Sequence, residues 1–492
     1  MKQILIGLLI VTVMGSAFAA DIPDRPEKLK FLELKYEPPV GEEYRVELRS
    51  GPVAFVVPNR ELPLISISIL LRAGKYNEPK GKEGLASMTG YLLSKGGTKS
   101  HSAEDLEERL AFLAAGLSSS VGDTSGSVGV NLLSKDLDEG LEMLREVLTT
   151  PRFQKNRIDL YKTRQLQAMK QRNDDSRNIE RQELVRLAYG DHFFRSQSST
   201  KSSIEAITVK DLRTFHQDWF HPANFVVAVS GDFDRRKMVA KLGNLFAKWP
   251  FKGKVARAVP TNKKFAEPGV YLVDKAVNQG RVDIMLPGIM RDNPDYYAVQ
   301  VMNDILGGGG FTSRITNRVR SDEGLAYSAY SYCPGGTYFP RTFVAGYQSK
   351  SRTVLYAAQI VLEEMRKITQ EEVTDREIET AKASYIQTFP QAFETKGAVA
   401  ETFAGEEFTG RLKKDPDYFK KFRSKIAAVT RADVQRVASK YLTPEKVAIL
   451  IVGNKKDIIK GHPDHPVSID SLANGSLKDV PLRDPFTLAP LK

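Results

Sequence analysis

Leu137, Leu141, Leu144 and Leu148 recur at three-to-four spacing in "KDLDEGLEMLREVL", which predicts an amphipathic helix with one apolar face. A matching helix is expected at "TVLYAAQIVLEEMRKI" (353–368). The β-branched runs "FVVAVSG" (225–231) and "VAILIVG" (447–453) each stop at a glycine and predict buried strands. "LISISILLRAG" (64–74) and "VDIMLPGI" (282–289) predict two more strands. Each leads into a helix, "GLASMTGYLLSKGG" and "DYYAVQVMNDILGGGG" respectively.

These elements come in the same order twice. Residues 207–231 and 429–453 align without a gap at an offset of 222, with Thr208/Thr430, Asp211/Asp433, Pro222/Pro444 and Gly231/Gly453 identical. In each copy the threonine N-caps a helix whose first turn holds the aspartate, and the proline follows the helix end. Gapless register with matched element order indicates an internal duplication. The expected fold is α+β: two homologous halves, each an antiparallel sheet packed with helices, forming a clamshell around a cavity. The divisions are a first half at 35–250, a Pro-, Gly- and Lys-rich linker at 251–269, a second half at 270–456 and an extended tail at 457–492.

Composition alters the picture at the N-terminus. Met1-Lys2, the apolar run "ILIGLLIVTVMG" and the small residues Ala17 and Ala19 read as a signal peptide over 1–19, with the mature chain starting near Ala20. A periplasmic or secreted protein without stable membrane insertion is expected, an uncleaved anchor being the competing reading. Cys333 is the single cysteine, so no intramolecular disulfide can form. The net charge of +12, spread over 72 basic and 60 acidic residues, is a mild bias. Outside the cytoplasm it does not suggest nucleic acid, whereas a basic cavity would attract acidic peptides or envelope lipids.

The stretch "LGGGGFTSRITNRVRSDEGLAYS" (306–328) raises the question of a nucleotide site. No Lys-Ser/Thr pair follows the glycines, and they end a helix rather than a strand, which argues against a phosphate loop. Gly307, Gly308, Gly309 and Gly310 are expected to cap the preceding helix and supply positive φ for a reversal. Thr312 or Ser313 would then cap the next helix, ending at Gly324. As metal motifs, "HSAED" (101–105) fails because His101 precedes the helix, and "HPDH" (462–465) because Pro463 breaks it. His192, His216 and His221 stand alone and are read as packing or surface residues.

Three signatures in order, "LRAG…NEPKGKEGLASMTGYLLSKGGTKS", "ITVKDLRTFHQDWFHPANFVVAVSGD" and "LGGGGFTSRITNRVRSDEGLAYS", resemble the pitrilysin (insulinase-type, M16) metallopeptidases and their mitochondrial processing peptidase relatives. The resemblance spans about 40–455. Active members carry H-x-x-E-H on the helix after "GLA", where two histidines hold zinc and the glutamate activates water. Aligned there, this chain has Ser87, Gly90 and Tyr91, and "RQLQAMKQ" (164–171) lacks the carboxylate expected as third ligand. The resemblance therefore implies no zinc and no catalytic residue in this chain.

It further implies that Arg320 and Tyr327, seven apart, contact bound peptide together with the lip formed by Gly307–Gly310. The alternative puts Arg320 in a surface ion pair and Tyr327 in the core. The implied function is the zinc-free, substrate-binding subunit of an exported heterodimeric metallopeptidase. Its partner would be a homologous H-x-x-E-H subunit that carries the zinc, and its substrate unfolded peptide. An inert homodimeric scaffold or peptide-holding protein of the same fold is the alternative.

Overall fold

The runs 53–58, 225–231, 269–274 and 448–453 are buried along nearly their whole length, so the sheets must be covered on both sides there. The computed structural model describes residue 25 and residues 28–29, 35–49, 51–262, 264–472 and 476–491. The expected signal peptide and mature start lie outside the described residues.

The first sheet comprises β1 (Arg45–Glu47), β2 (Val53–Pro58), β3 (Leu64–Leu71), β4 (Gly116–Val121), β5 (Gly126–Leu133) and β6 (Phe225–Gly231), in the order β1-β2-β6-β3-β5-β4. The second comprises β7 (Gly269–Asp274), β8 (Gln279–Pro287), β9 (Ala326–Tyr332), β10 (Thr342–Lys350), β11 (Ala448–Gly453) and β12 (Leu477–Asp479), in the order β12-β7-β11-β8-β10-β9. The parallel pair β2–β6 corresponds to β7–β11, while β3, β5 and β4 correspond to β8, β10 and β9. The duplication is thus present in five strands of each sheet, the outermost β1 and β12 being unrelated (antiparallel to β2 and parallel to β7 respectively), and both halves are α+β.

Local sequence sets the repeated unit. Thr208 and Thr430 each accept from the amide of the aspartate three residues on, and that aspartate bonds back to the threonine amide. On the inner face of the first sheet, Ile65, Ile67 and Ile69 pack with the leucine stripe of the helix Leu137–Thr149.

Five helices matter for the site: α1 (Leu85–Lys95), α2 (Lys155–Lys170), α3 (Ser176–Tyr189), α4 (Tyr296–Asn303) and α5 (Lys396–Phe408). The outer faces of the sheets are covered reciprocally. Helix α5 of the second half lies on β2 and β6 of the first, with Phe403 stacked on Phe55 at 6.0 Å. Helix α3 of the first half lies on β8 and β11 of the second, placing Ile179 among Val273, Met285, Leu450 and Val452.

The tail secures the same junction. After β12 joins the second sheet alongside β7, Arg483 Nε meets the buried Glu183 carboxylate at 2.7 Å, and Phe486 packs on the core of the first half.

Candidate functional site

Helix α1 keeps its core stripe and loses its chemistry. Leu85, Met88 and Leu92 are buried, Ser87 is exposed, and Tyr91 packs on Tyr161 while its hydroxyl accepts from Arg164 Nη1 at 3.0 Å. Strand β4 runs against Gly90. A Cβ at that position would fall on the Val121 amide nitrogen and 2.7 Å from the Ser120 carbonyl carbon. The Ser119 hydroxyl bridges the adjacent helical rung, accepting from the Ser94 amide (3.0 Å) and donating to the Gly90 carbonyl (2.5 Å).

The helix face that would serve a metal therefore holds a hydroxyl, a glycine and a phenol, and the space a glutamate would need is filled by backbone. Zinc does not fit these residues. Among the described residues no group of three or more His, Cys, Asp or Glu is placed to hold a metal ion.

The glycine stretch caps the helix as expected but supplies positive φ at one position only. Helix α4 widens into a π-helical turn over Asp304–Gly308 and ends, as expected, within the glycines, where the Gly309 amide caps it by donating to the Asp304 carbonyl at 2.8 Å. Only Gly310 has positive φ, at 59°. Gly307 is a close-approach residue: a Cβ there would lie 2.8 Å from Ser331 Cβ and against the Ser331 amide, in strand β9. Gly308 would meet Asn303 and Gly309 would meet Asp304. Gly307 thus lets the helix press on strand β9, as Gly90 does on β4, while Gly308 and Gly309 make room for groups of their own turn.

Ser313 precedes the next helix as expected, yet its hydroxyl donates to the Gly310 carbonyl (2.6 Å), with Thr316 Oγ1 also within 3.0 Å, instead of capping an amide. A second π-helical segment, Asn317–Asp322, carries Arg320.

Arg320 and Tyr327 do meet, through a ring face. The guanidinium lies 4.7 Å from the Tyr327 ring centroid and 4.4 Å from that of Phe311, forming a sandwich. Tyr327 is 85% exposed and Phe311 66% exposed, so the tyrosine is not core. Among the described residues Arg320 has no carboxylate partner. Sequence reasoning missed Phe311, although an aromatic directly after four glycines was the available signal.

A groove runs between the halves along α3. One part, a cavity of about 580 Å³, is walled by Arg177, Arg181 and Tyr189 on the α3 side and by Tyr330, Tyr332, Gly307 and Gly308 opposite. It shares Arg181 and Arg195 with a second cavity beside Gln165 and Asp123, and Arg177 and Tyr330 with a third reaching Gly324 and Tyr327. Gly307, Gly308 and Tyr327 therefore border one continuous groove. Arg320, Gly309, Gly310, Ser87, Gly90 and Tyr91 do not line it.

Two carboxyls in the groove are perturbed by burial. Asp283 is raised well above the carboxylate range, and Glu180 is raised less because Arg281 sits 3.4 Å away. Near α1, burial lifts Glu78 to about 7, even though its Oε1 accepts from the amides of Gly84 and Ala86; its Oε2 has no partner.

The remaining candidates are structural. His101 sits outside its helix, 3.2 Å from Glu146, and His465 stacks on Tyr356. His216 donates to the Leu148 carbonyl and is pushed down to about 4 by burial; His221 donates to the Lys254 carbonyl. His192 is exposed. Burial raises the Cys333 thiol to about 12, which leaves it unsuited to nucleophilic work.

Duplicated sheets, a helix matching the metal helix and a groove between the halves agree with comparisons to known proteins. The family model "Insulinase (Peptidase family M16)" matches residues 56–201, and "Peptidase M16 inactive domain" matches 206–385. Together they take in most of the chain, which belongs to peptidase family M16. An uncharacterized zinc protease of Streptomyces coelicolor is 24% identical over 86% of this chain and 92% of its own length. A non-peptidase homolog of Helicobacter pylori is 27% identical over 68% and 77%. The crystal structure of a peptidase M16 inactive domain from Pseudomonas fluorescens superposes with a TM-score of 0.73 at 22% identity, covering 83% of this chain and 97% of that one. The inactive-domain match and the non-peptidase relative point to a non-catalytic member of the family.

Proposed function

We propose that this chain is the zinc-free, substrate-binding subunit of an exported heterodimeric zinc metallopeptidase. A homologous H-x-x-E-H subunit would supply the metal, and this chain would complete the chamber and hold unfolded peptide. The observation that carries this reading is an asymmetry between the halves. The metal helix is packed shut by β4 at Gly90, whereas the Phe311–Arg320–Tyr327 sandwich faces solvent with no carboxylate partner among the described residues. A guanidinium held between two rings keeps its edge N–H donors free for a peptide carbonyl or carboxylate. In a closed chamber such donors would stabilise charge that develops at a scissile carbonyl. Export rests on the N-terminal sequence. Among the described residues no helix is long and apolar enough to cross a membrane.

The test is reconstitution with an exported H-x-x-E-H homologue from the same genome. Peptide cleavage should require both chains, and Arg320→Ala should lower kcat/KM by about tenfold or more with the pair still assembled. Stoichiometric zinc and unaided cleavage by this chain alone would overturn the reading. A stable homodimer with no affinity for peptide would instead favour the inert scaffold.

A further inference from the structure

The groove carries more information than a place to bind. Across its three connected parts, seven cationic side chains face three carboxyl groups, one of them the buried Asp283. Arg195 and Arg281 are paired, with Asp123 at 3.0 Å and Glu180 at 3.4 Å. Arg177, Arg181 and Arg341 are exposed and, among the described residues, have no carboxylate partner. Arg177 and Arg181 lie one turn apart on α3, a like-charge arrangement that costs a helix stability until an anion lies across it.

The spacing narrows the ligand. Four residues of helix separate the two arginines, which sets them roughly 6 Å apart along the helix axis. On the opposite wall, Tyr330 and Tyr332 project from the same face of β9, half exposed, at a repeat of about 6.8 Å. An extended peptide repeats at that same distance along each of its faces and sends alternate side chains to opposite sides. One face can thus meet arginine forks while the other meets tyrosine rings.

Resting on the peptide-binding reading above, we propose that the groove selects extended peptides in which acidic and apolar residues alternate, the carboxylates turned to Arg177 and Arg181 and the apolar side chains to Tyr330 and Tyr332. A single-stranded nucleic acid offers charge and stacking too. Its unbroken row of phosphates would, however, set only acceptors against the Glu180 carboxylate, which lies with the Asp283 carboxyl in the middle of the groove. A peptide carries N–H donors as well as acceptors, and can satisfy those carboxyl groups.

Fluorescence anisotropy on the full chain tests this with labelled twelve-residue peptides. One alternates Glu with Phe or Leu, an isomer has the same residues in two blocks, and two analogues replace Glu by Gln or by Lys. The alternating acidic peptide should bind at least tenfold tighter than its Gln analogue and several-fold tighter than the blocked isomer. Affinity should fall with added salt. Arg177→Glu and Arg181→Glu should each erase most of the preference, and Arg341→Glu on the other wall should weaken it less, none of them lowering the circular dichroism melt.

Equal binding of acidic and neutral peptides, still weakened by Arg320→Ala, would overturn the groove assignment and leave the peptide-binding reading standing. Tighter binding of a twelve-nucleotide single strand would overturn it in favour of a different ligand. No binding of any peptide, alone or with the partner subunit, would remove both.

Discussion

Replacing Gly90 with alanine tests whether the metal helix is closed by packing or merely stripped of ligands. Intrinsic helix propensity favours alanine over glycine by about 1 kcal/mol, so an unhindered site would be stabilised. At Gly90 the added Cβ would fall on the Val121 amide nitrogen, 2.7 Å from Ser120 C and 3.0 Å from Ser120 Cα. All three atoms are strand backbone and cannot rotate away, so β4 must retreat. Overpacking of this kind costs about 1–3 kcal/mol. The retreat also weakens the two hydrogen bonds through Ser119, each worth roughly 1 kcal/mol.

The net expectation is a loss of about 2 kcal/mol. Trp219 and Trp249, the chain's two tryptophans, both sit on the core of the first half, so their fluorescence in a urea titration reports on the half containing Gly90. With an m-value of about 3 kcal/mol/M the midpoint should drop by roughly 0.7 M. Gly405→Ala is the internal control: that glycine lies within α5 with nothing near its Cβ position, and the change should raise stability by up to about 1 kcal/mol. A Gly90→Ala midpoint equal to or above that of the parent would refute the argument. It would also reopen the possibility that a carboxylate could be accommodated there.

Other outcomes follow from groups already described. Glu78 titrates near 7 when folded against 4.5 for the free side chain, so it favours the folded state below about pH 4.5, and that contribution is lost as pH rises through 7. The loss is up to about 3 kcal/mol; Glu78→Gln should flatten urea stability between pH 5 and 8, and an unchanged slope would count against the assignment. Arg483→Ala leaves the Glu183 carboxylate buried without its ion-pair partner and should cost about 3 kcal/mol by thermal unfolding, whereas a neutral result would mean that the tail does not hold the halves together.

What was legible in the sequence was what is decided locally. The boxes at Thr208/Asp211 and Thr430/Asp433, the leucine face of 137–148 and the strands closing at Gly231 and Gly453 depend on neighbours a few positions away. Gly308 and Gly309 answer to Asn303 and Asp304 five residues back, but the role of Gly307 was hidden because it makes room for Ser331, 24 residues further on. The π-helical widening at 304–308 and 317–322 leaves no compositional mark. Helix α3 shows only a short apolar stripe, and nothing in "SRNIERQELVRLAY" says that it covers the other half's sheet while turning Arg177 and Arg181 into a groove.

The exchange of covering helices has a consequence in time. Phe55 emerges from the ribosome early, but its stacking partner Phe403 follows 348 residues later. At about 5–20 residues per second, the outer face of the first sheet waits roughly 20–70 s for its cover. During that interval the nascent chain exposes a half-finished sheet to whatever binds apolar surfaces, and the first half cannot be released as a finished unit. Fragments cut at the linker would inherit the same bare faces permanently. The two halves are copies in topology and a single obligate unit in biogenesis.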